Sequence, residues 1–191
     1  MKIKALATLC KKSKAIIIYD NKQDDIQWLS DGGAIYPLLK MPFMTENNIF
    51  ALFDIPESKE NKYYCKQMET SEVLNFNNDD DVENELKEER VLFTRDGRTL
   101  KPFQTSKGLI FIDAEHLKPI ADEFEVKYYE RFSKIKKDVY IAVKNGMEVI
   151  ALIMPFNCID DNFVQQMDDL TRMSKVALQS KKLPEEGVNA Q

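Results

Sequence analysis

The N-terminal part of the chain alternates apolar segments with polar turns, in a pattern that predicts one helix followed by three strands. Apolar side chains first recur at helical spacing, at Ile3, Leu6, Leu9 and Cys10. This spacing is typical of a helix with one buried face. Runs rich in β-branched, apolar and aromatic residues then predict strands over 15–19, 26–29 and 34–36.

The middle of the chain predicts a second helix, a further strand and an exposed acidic segment. Thr45 is a favourable N-cap, and Pro56 ends the helix that follows it. Residues 62–68 predict a strand. Residues 77–90 carry seven acidic and two basic side chains. Such a charge run is typical of a solvated linker or loop.

After the acidic segment, the pattern predicts a hairpin, a strand and a helix. The pair Asp96-Gly97 is a strong signal for a tight turn between two strands. A short strand over 109–112 leads to Asp113, a good N-cap for a helix. Pro119 makes that helix irregular, because a proline beyond the first turn removes a backbone hydrogen bond.

The last part of the chain predicts a three-strand meander and a long helix. Alternating side chains and the turn residues Asn145-Gly146 indicate strands over 126–132, 139–143 and 147–154. Asp160 then caps a helix whose apolar stripe consists of Phe163, Met167, Leu170, Met173, Val176 and Ala177.

Together these elements predict an α+β fold of antiparallel sheets in which a helix-plus-three-strand unit recurs, beginning near Lys4, Thr45 and Ala114. The expected organisation is an N-terminal α/β unit over 1–75, an acidic linker or loop over 76–90, a C-terminal α/β unit with the terminal helix over 91–182, and a flexible tail over 183–191. One continuous domain is the alternative to two separate units.

Composition narrows the class of protein. The 191 residues are 43% hydrophobic and 31% charged, which provides a core and a well-solvated surface. The N-terminus lacks the unbroken apolar core of a signal peptide, and the longest apolar run, 149–154, is too short to cross a bilayer. The three cysteines are widely spaced, so we expect reduced thiols in a cytoplasmic protein that has no membrane contact.

Residues with recognisable chemistry are few, and we expect no catalytic residue, metal or cofactor. No nucleotide-binding, serine-hydrolase or zinc-protease motif occurs. A catalytic cysteine would have to use His116, the only histidine. The spacing of acids over 77–88 faintly matches a calcium loop, but Val82 occupies the position that needs glycine. One enzymatic alternative is a carboxylate-dependent nuclease that uses Asp160, Asp161, Asp168 and Asp169.

Basic side chains are unevenly distributed, which suggests a polyanionic partner. The net charge is −5, yet residues 1–14 contain five lysines and no acid. Lysines on one helical face can contact phosphates without reading sequence. Lysines also keep a short helix soluble, and both interpretations stay open. The candidate nucleic-acid-binding residues are Lys4, Lys11, Lys12, Lys14, Lys134, Lys136 and Lys137.

Two resemblances add to these predictions. The segments 26–37 and 144–155 resemble uncharacterised proteins encoded in phages and prophages of low-GC Gram-positive bacteria, which implies no particular activity. The order strand, helix and three strands over 109–154 resembles, in topology alone, the repeating unit of DNA sliding clamps. In that family the helices face the DNA and the sheets face outward. The resemblance implies a homo-oligomer, because one chain of this length has too few repeats to encircle DNA.

These observations support two hypotheses about function. The first is a non-enzymatic, phage-related accessory protein, clamp-like in fold, that binds nucleic acid without sequence specificity through its basic helix. The alternative is a protein–protein adaptor or host-modulating protein that binds a host or phage protein through the terminal helix or the acidic segment. Met167 and Met173 favour the alternative, because methionines adapt to varied partner surfaces.

Overall fold

The structure, a computed structural model, describes residues 1–22 and 24–181. The chain divides into one compact unit over 1–156 and a second unit over 157–191. The tail predicted over 183–191 lies outside the described residues.

The first predicted unit, a helix followed by three strands, is confirmed. Helix α1 (Ile3–Ser13) buries Leu6 and Leu9, and it ends where Lys14 adopts a left-handed backbone conformation with φ 57°. An antiparallel meander follows, formed by strands β1 (Ala15–Asn21), β2 (Ile26–Ser30) and β3 (Ala34–Pro37).

The middle repeat predicted from Thr45 onward has its helix and its strands, but those strands do not pair with one another as one unit. The helix itself forms as α2 (Glu46–Leu52), with the Thr45 hydroxyl accepting a hydrogen bond from the Asn48 N–H, and the short α3 (Glu57–Glu60) follows. The next strand, β4 (Tyr64–Glu69), pairs in parallel with β1, and the strands predicted over 91–94 and 99–103 lie in a separate sheet. The physical reason is that residue alternation indicates a strand but not its partner, which a crossover connection can place at a distant edge.

The second half of the chain follows the predicted order of elements. Asp96 and Gly97 form the predicted hairpin turn, both with positive φ. The helix after Asp113 is a 3₁₀ helix (Ala114–Ile120), consistent with Pro119, which has no N–H to donate. The strands are β5 (Asn84–Leu86), β6 (Phe93–Arg95), β7 (Arg98–Thr105), β8 (Gly108–Asp113), β9 (Val126–Phe132), β10 (Val139–Asn145) and β11 (Glu148–Ile153), and helix α4 (Asp161–Ser180) follows.

One eight-stranded sheet unites the strands of both halves in the order β4-β1-β2-β3-β11-β10-β9-β5, and a second sheet contains β6, β7 and β8. The protein therefore has an α+β fold, as predicted. Two helix-plus-three-strand units are present, α1 with β1–β3 and the 3₁₀ helix with β9–β11. They meet where β3 pairs antiparallel with β11. The acidic segment contributes β5, which forms one edge of the same sheet.

Both faces of the large sheet are covered by apolar side chains. Alternating residues project to opposite sides, so Leu29 packs with Leu6 of α1 and Phe50 of α2 in one cluster. Trp28 instead packs on the opposite face against Phe76, with ring centroids 5.3 Å apart. The segment over 73–83 covers this second face, and we call it the covering loop.

A buried arginine holds the covering loop in place. Arg131 of β9 is 0% exposed, and its Nε donates to Oε1 of Glu83 at 2.8 Å. Its Nη1 and Nη2 donate to the carbonyl oxygens of Asn77 at 2.8 Å and Asn78 at 2.9 Å. Lys144 of β10 also donates to Glu83. Because a buried guanidinium needs acceptors for its five donors, the loop and the arginine fix each other.

Replacing Arg131 with methionine is expected to lower the free energy of unfolding by about 3 kcal/mol, because the carbonyls of Asn77 and Asn78 and one carboxylate oxygen of Glu83 lose their buried donor. Urea denaturation monitored by circular dichroism measures the change. Lys127→Met, on the same strand but in an ion pair whose partners are both half-exposed, is the matched control and is expected to change stability far less. Equal destabilisation by the two variants would contradict the role given to Arg131.

Candidate nucleic-acid interface

The lysines of α1 form an exposed basic surface. Lys4, Lys11 and Lys12 are exposed on the side of the helix opposite the buried Leu6 and Leu9, and Lys14 is exposed at its C-terminal end. Within the described residues none of these four ammonium groups forms an ion pair. The sequence-based expectation that α1 has a basic outer face therefore agrees with its geometry, and the charge on that face is not neutralised by neighbouring acids.

Six other lysines that the structure describes have an acidic partner, among them Lys144 with Glu83. The others are Lys2 with Asp122, Lys22 with Glu69, Lys101 with Glu88, Lys118 with Glu115, and Lys127 with Glu85. Paired charges of this kind largely cancel one another in the field that a distant polyanion experiences. The four lysines of α1 and its C-terminal end differ from these six in having no acidic partner among the described residues.

The second predicted group of lysines lies in the turn between β9 and β10. Lys134, Lys136 and Lys137 are exposed there, as the sequence predicted for a turn. The Lys134 N–H donates to the Val73 carbonyl at 2.9 Å, and Val73 begins the covering loop. Because that loop covers the face of the sheet opposite α1, the turn lysines and α1 are associated with opposite faces. The structure does not join the two groups into one interface.

The 3₁₀ helix lies beside α1 and limits the basic surface on that side. The backbone N–H of Lys2 donates to the Pro119 carbonyl at 2.6 Å. The N-terminal ammonium binds Glu123 at 2.9 Å, and this hydrogen bond lowers the pKa of the Glu123 carboxyl despite partial desolvation. Acids therefore line the 3₁₀ side of α1, and a polyanion would approach from the side of Lys4 and Lys11.

Beneath this helical layer lies a buried histidine–aspartate pair that the sequence did not reveal. His116 Nε2 lies 3.2 Å from Oδ2 of Asp31, and both residues are buried. The other carboxylate oxygen accepts the backbone N–H groups of Gly33 and Ala34 at 3.1 and 2.9 Å. A Cβ atom on Gly33 would lie 2.6 Å from the imidazole ring. The missing side chain thus lets the sheet approach the 3₁₀ helix closely.

The His116–Asp31 pair joins the 3₁₀ helix to the turn between β2 and β3, and its role is structural. Burial by itself would raise the pKa of Asp31, but the hydrogen bond and charge of His116, with the two backbone N–H groups, lower it below its usual value. Burial raises the pKa of the nearby Cys10 thiol far above its ordinary range. Cys10 is therefore a protonated core thiol at neutral pH, which leaves it without the thiolate that a nucleophile needs.

Exposed tyrosines in strands can stack on bases, and Tyr64 is the most accessible member of the pairs Tyr63-Tyr64 and Tyr128-Tyr129. It is 57% exposed on the edge strand β4. Tyr63 packs against Phe50, and Tyr128 packs against Phe103 with ring centroids 4.9 Å apart. Burial and the charge of Glu88 raise the pKa of Tyr128 to about 12. Packing against other aromatic rings of the core therefore accounts for Tyr63 and Tyr128.

Two of the four acids proposed for a nuclease, Asp160 and Asp169, form structural contacts. Asp160 caps α4 by accepting the Phe163 N–H at 2.7 Å, and Asp169 pairs with Arg172 at 2.7 Å. Within the part of the chain that the structure describes, no group of three or more His, Cys, Asp or Glu side chains is arranged to hold a metal ion. Among the helices in residues 1–22 and 24–181, none combines the length and apolar character that crossing a bilayer requires.

Comparisons with known proteins give no relative for this chain. No protein-family model matches it, and neither a curated protein nor a solved structure matches at the level accepted as significant. Function therefore has to be inferred from the residues and their geometry.

The lowered pKa of Asp31 makes its contribution to stability depend on pH. The ionised carboxylate is favoured by the folded state, so this contribution is complete above the unfolded pKa of about 4. It is lost as the pH falls through the lower folded-state pKa. The difference in unfolding free energy between the unmodified protein and Asp31→Asn, measured by urea denaturation at a series of pH values, should be largest near neutral pH and shrink below pH of about 4. A difference that is constant with pH would contradict the pairing.

Proposed function

We propose that the protein is a non-enzymatic accessory protein, of the phage-encoded type that its sequence resembles, and that it binds nucleic acid without sequence preference through α1. The observation that carries the proposal is the group of exposed lysines on α1 that lack acidic partners. Binding such a surface to phosphates would release condensed counterions, which provides affinity without base contacts.

A clamp-like mode of binding extends this proposal. The two helix-plus-three-strand units place α1 and the 3₁₀ helix on one face of a continuous sheet. In sliding clamps, which the sequence resembles in topology, the helices face DNA. One chain has two such units, so encircling a duplex would require several copies arranged as a closed homo-oligomer. The open edge of β4 is one surface through which the sheets of neighbouring copies could continue.

Replacing Lys4, Lys11 and Lys12 together with glutamine is expected to weaken binding to fluorescein-labelled duplex DNA. Fluorescence anisotropy between about 50 and 200 mM salt measures both the affinity and its salt dependence. Each lost phosphate contact should reduce the slope of log K against log salt by about 0.9. A reduction of roughly two to three is therefore expected for this triple variant.

Two other triple variants remove the same amount of charge and serve as controls. Lys22, Lys118 and Lys127 are ion-paired, so their replacement by glutamine should have little effect. Replacing Lys134, Lys136 and Lys137 tests the turn between β9 and β10. Equal losses in all three variants would show that only net charge matters, and absence of binding at low salt would remove the proposal.

Sedimentation at the concentrations used gives the number of copies, and a monomer that binds DNA would exclude a ring.

Protein–protein recognition through α4 is a second candidate function. The described part of this 20-residue helix buries no side chain. Leu170, Met173 and Val176 are 52%, 59% and 62% exposed. Exposed apolar side chains on one helix are typical of a helix that inserts into the groove of a partner. The acidic segment is the weaker surface for an adaptor, since Glu83 is engaged by Arg131 and Lys144.

A photo-crosslinking amino acid at Met173 is expected to label a specific partner in cells, whereas the same group at Gln165 should not. The double variant Leu170→Ser with Met173→Ser should abolish binding of that purified partner, measured by calorimetry, because it removes the apolar contact area. Gln165→Ser with Gln179→Ser, two exposed polar positions of α4, is the control. Equal labelling at positions 165 and 173, or equal loss of binding in both double variants, would exclude α4 as the contact.

A further inference from the structure

A cavity of about 390 Å³ opens beside the second face of the large sheet. Its walls include Trp28 of β2, Pro37 of β3, Phe76 of the covering loop and Val149 of β11. Trp28 and Phe76 meet edge to face, with ring centroids 5.3 Å apart. Cavities of this size with apolar and aromatic walls are typical of sites that accept small organic molecules.

The indole group of Trp28 has an unsatisfied hydrogen-bond donor. Trp28 is 4% exposed, and its Nε1–H has no acceptor in the structure. Buried polar groups are nearly always hydrogen-bonded, so an orphaned donor in a cavity wall requires an explanation. A molecule bound in the cavity would supply this acceptor after a small adjustment of the cavity wall.

The rim of the cavity is acidic. Asp24, Asp79 and Glu148 line it, and no lysine or arginine is among its described lining residues. The Asp24 carboxylate accepts a hydrogen bond from Asn21 at 2.9 Å. The carboxylates of Asp79 and Glu148 form no ion pair with any residue that the structure describes. The rim therefore favours a positively charged group and opposes an anion.

The wall formed by the covering loop is held in place without a ligand. The backbone N–H of Val149 donates to Oδ1 of Asn78 at 2.9 Å. The Asn75 N–H donates to the Tyr140 hydroxyl at 3.0 Å, and Arg131 binds the carbonyls of Asn77 and Asn78. A wall fixed by these contacts loses little conformational entropy when a ligand binds, which favours affinity.

We propose that this cavity binds a small organic ammonium compound whose apolar body carries one hydrogen-bond acceptor for the Trp28 Nε1–H. The apolar part would lie against Trp28, Phe76 and Val149, and the ammonium group would lie near Asp79 and Glu148. This site is independent of α1 and of the proposed binding to nucleic acid, because α1 packs on the opposite face of the sheet.

Three probes that share one phenyl ether body, whose oxygen is a hydrogen-bond acceptor, and that differ in charge test the proposal: 3-phenoxypropylamine, 3-phenoxypropan-1-ol and 3-phenoxypropanoate. Trp28 is the only tryptophan, so its fluorescence and its single indole N–H resonance in a ¹H–¹⁵N spectrum report on the cavity directly. The amine is expected to shift the resonance with saturation at millimolar concentrations or below. The alcohol should bind about tenfold more weakly and the carboxylate not measurably, as expected for an acidic rim.

Substitutions at the rim give the second measurement. Asp79→Asn with Glu148→Gln should weaken binding of the amine about tenfold and leave binding of the alcohol unchanged, because only the charge attraction is removed. Glu57→Gln with Glu125→Gln changes net charge equally at exposed positions outside the cavity and should leave both affinities unchanged.

Two results would overturn the proposal. One is an indole resonance that none of the three probes moves at millimolar concentration. The other is equal binding of amine and carboxylate, or an equal effect of the two double variants, either of which would show that the rim does not select a cation.

Discussion

The pairing of β3 with β11 is the constraint on which the rest of the structure depends. Only two residue pairs form it, Ile35 with Leu152 and Ala34 with Ile153, and all four residues are buried. This short pairing joins two three-strand meanders that are far apart in sequence into one continuous sheet. Once joined, the central strands are apolar on both faces, and a sheet of this kind is stable only when each face is covered.

The two covers explain how charge is distributed in the protein. On one face, α1 and the 3₁₀ helix use apolar side chains against the sheet and direct the lysines of α1 outward. On the other face, the covering loop runs over Trp28, and Arg131 and Lys144 hold it through Glu83. Part of the acidic excess is therefore engaged in stabilising the fold, while the basic side chains of α1 keep no acidic partner among the described residues. The proposal of a polyanionic partner depends on this asymmetry.

The covering loop also explains why two sites of different character can coexist. Its contacts with Tyr140, Val149 and Arg131 hold it away from part of the sheet and leave the cavity beside Trp28. Asp79 of the loop, with Asp24 and Glu148, gives that cavity an acidic rim that attracts cations. The opposite face has the lysine surface of α1, which attracts anions. A sheet that separates the two surfaces prevents their charges from cancelling at short range.

Local chemistry in the sequence determined most of the elements. The apolar spacing in α1, the turn at Gly97, the meander from Val126 to Ile153 and the cap at Asp160 were all predictable, because each depends on neighbours within a few residues. The exposed lysines of α1 followed from the same periodicity. Tertiary structure alone decided the parallel pairing of β4, the separation of the turn lysines from α1, the His116–Asp31 pair and the role of Arg131. These features depend on contacts between residues 48 to 85 positions apart, and sequence spacing has no information about which distant segments meet.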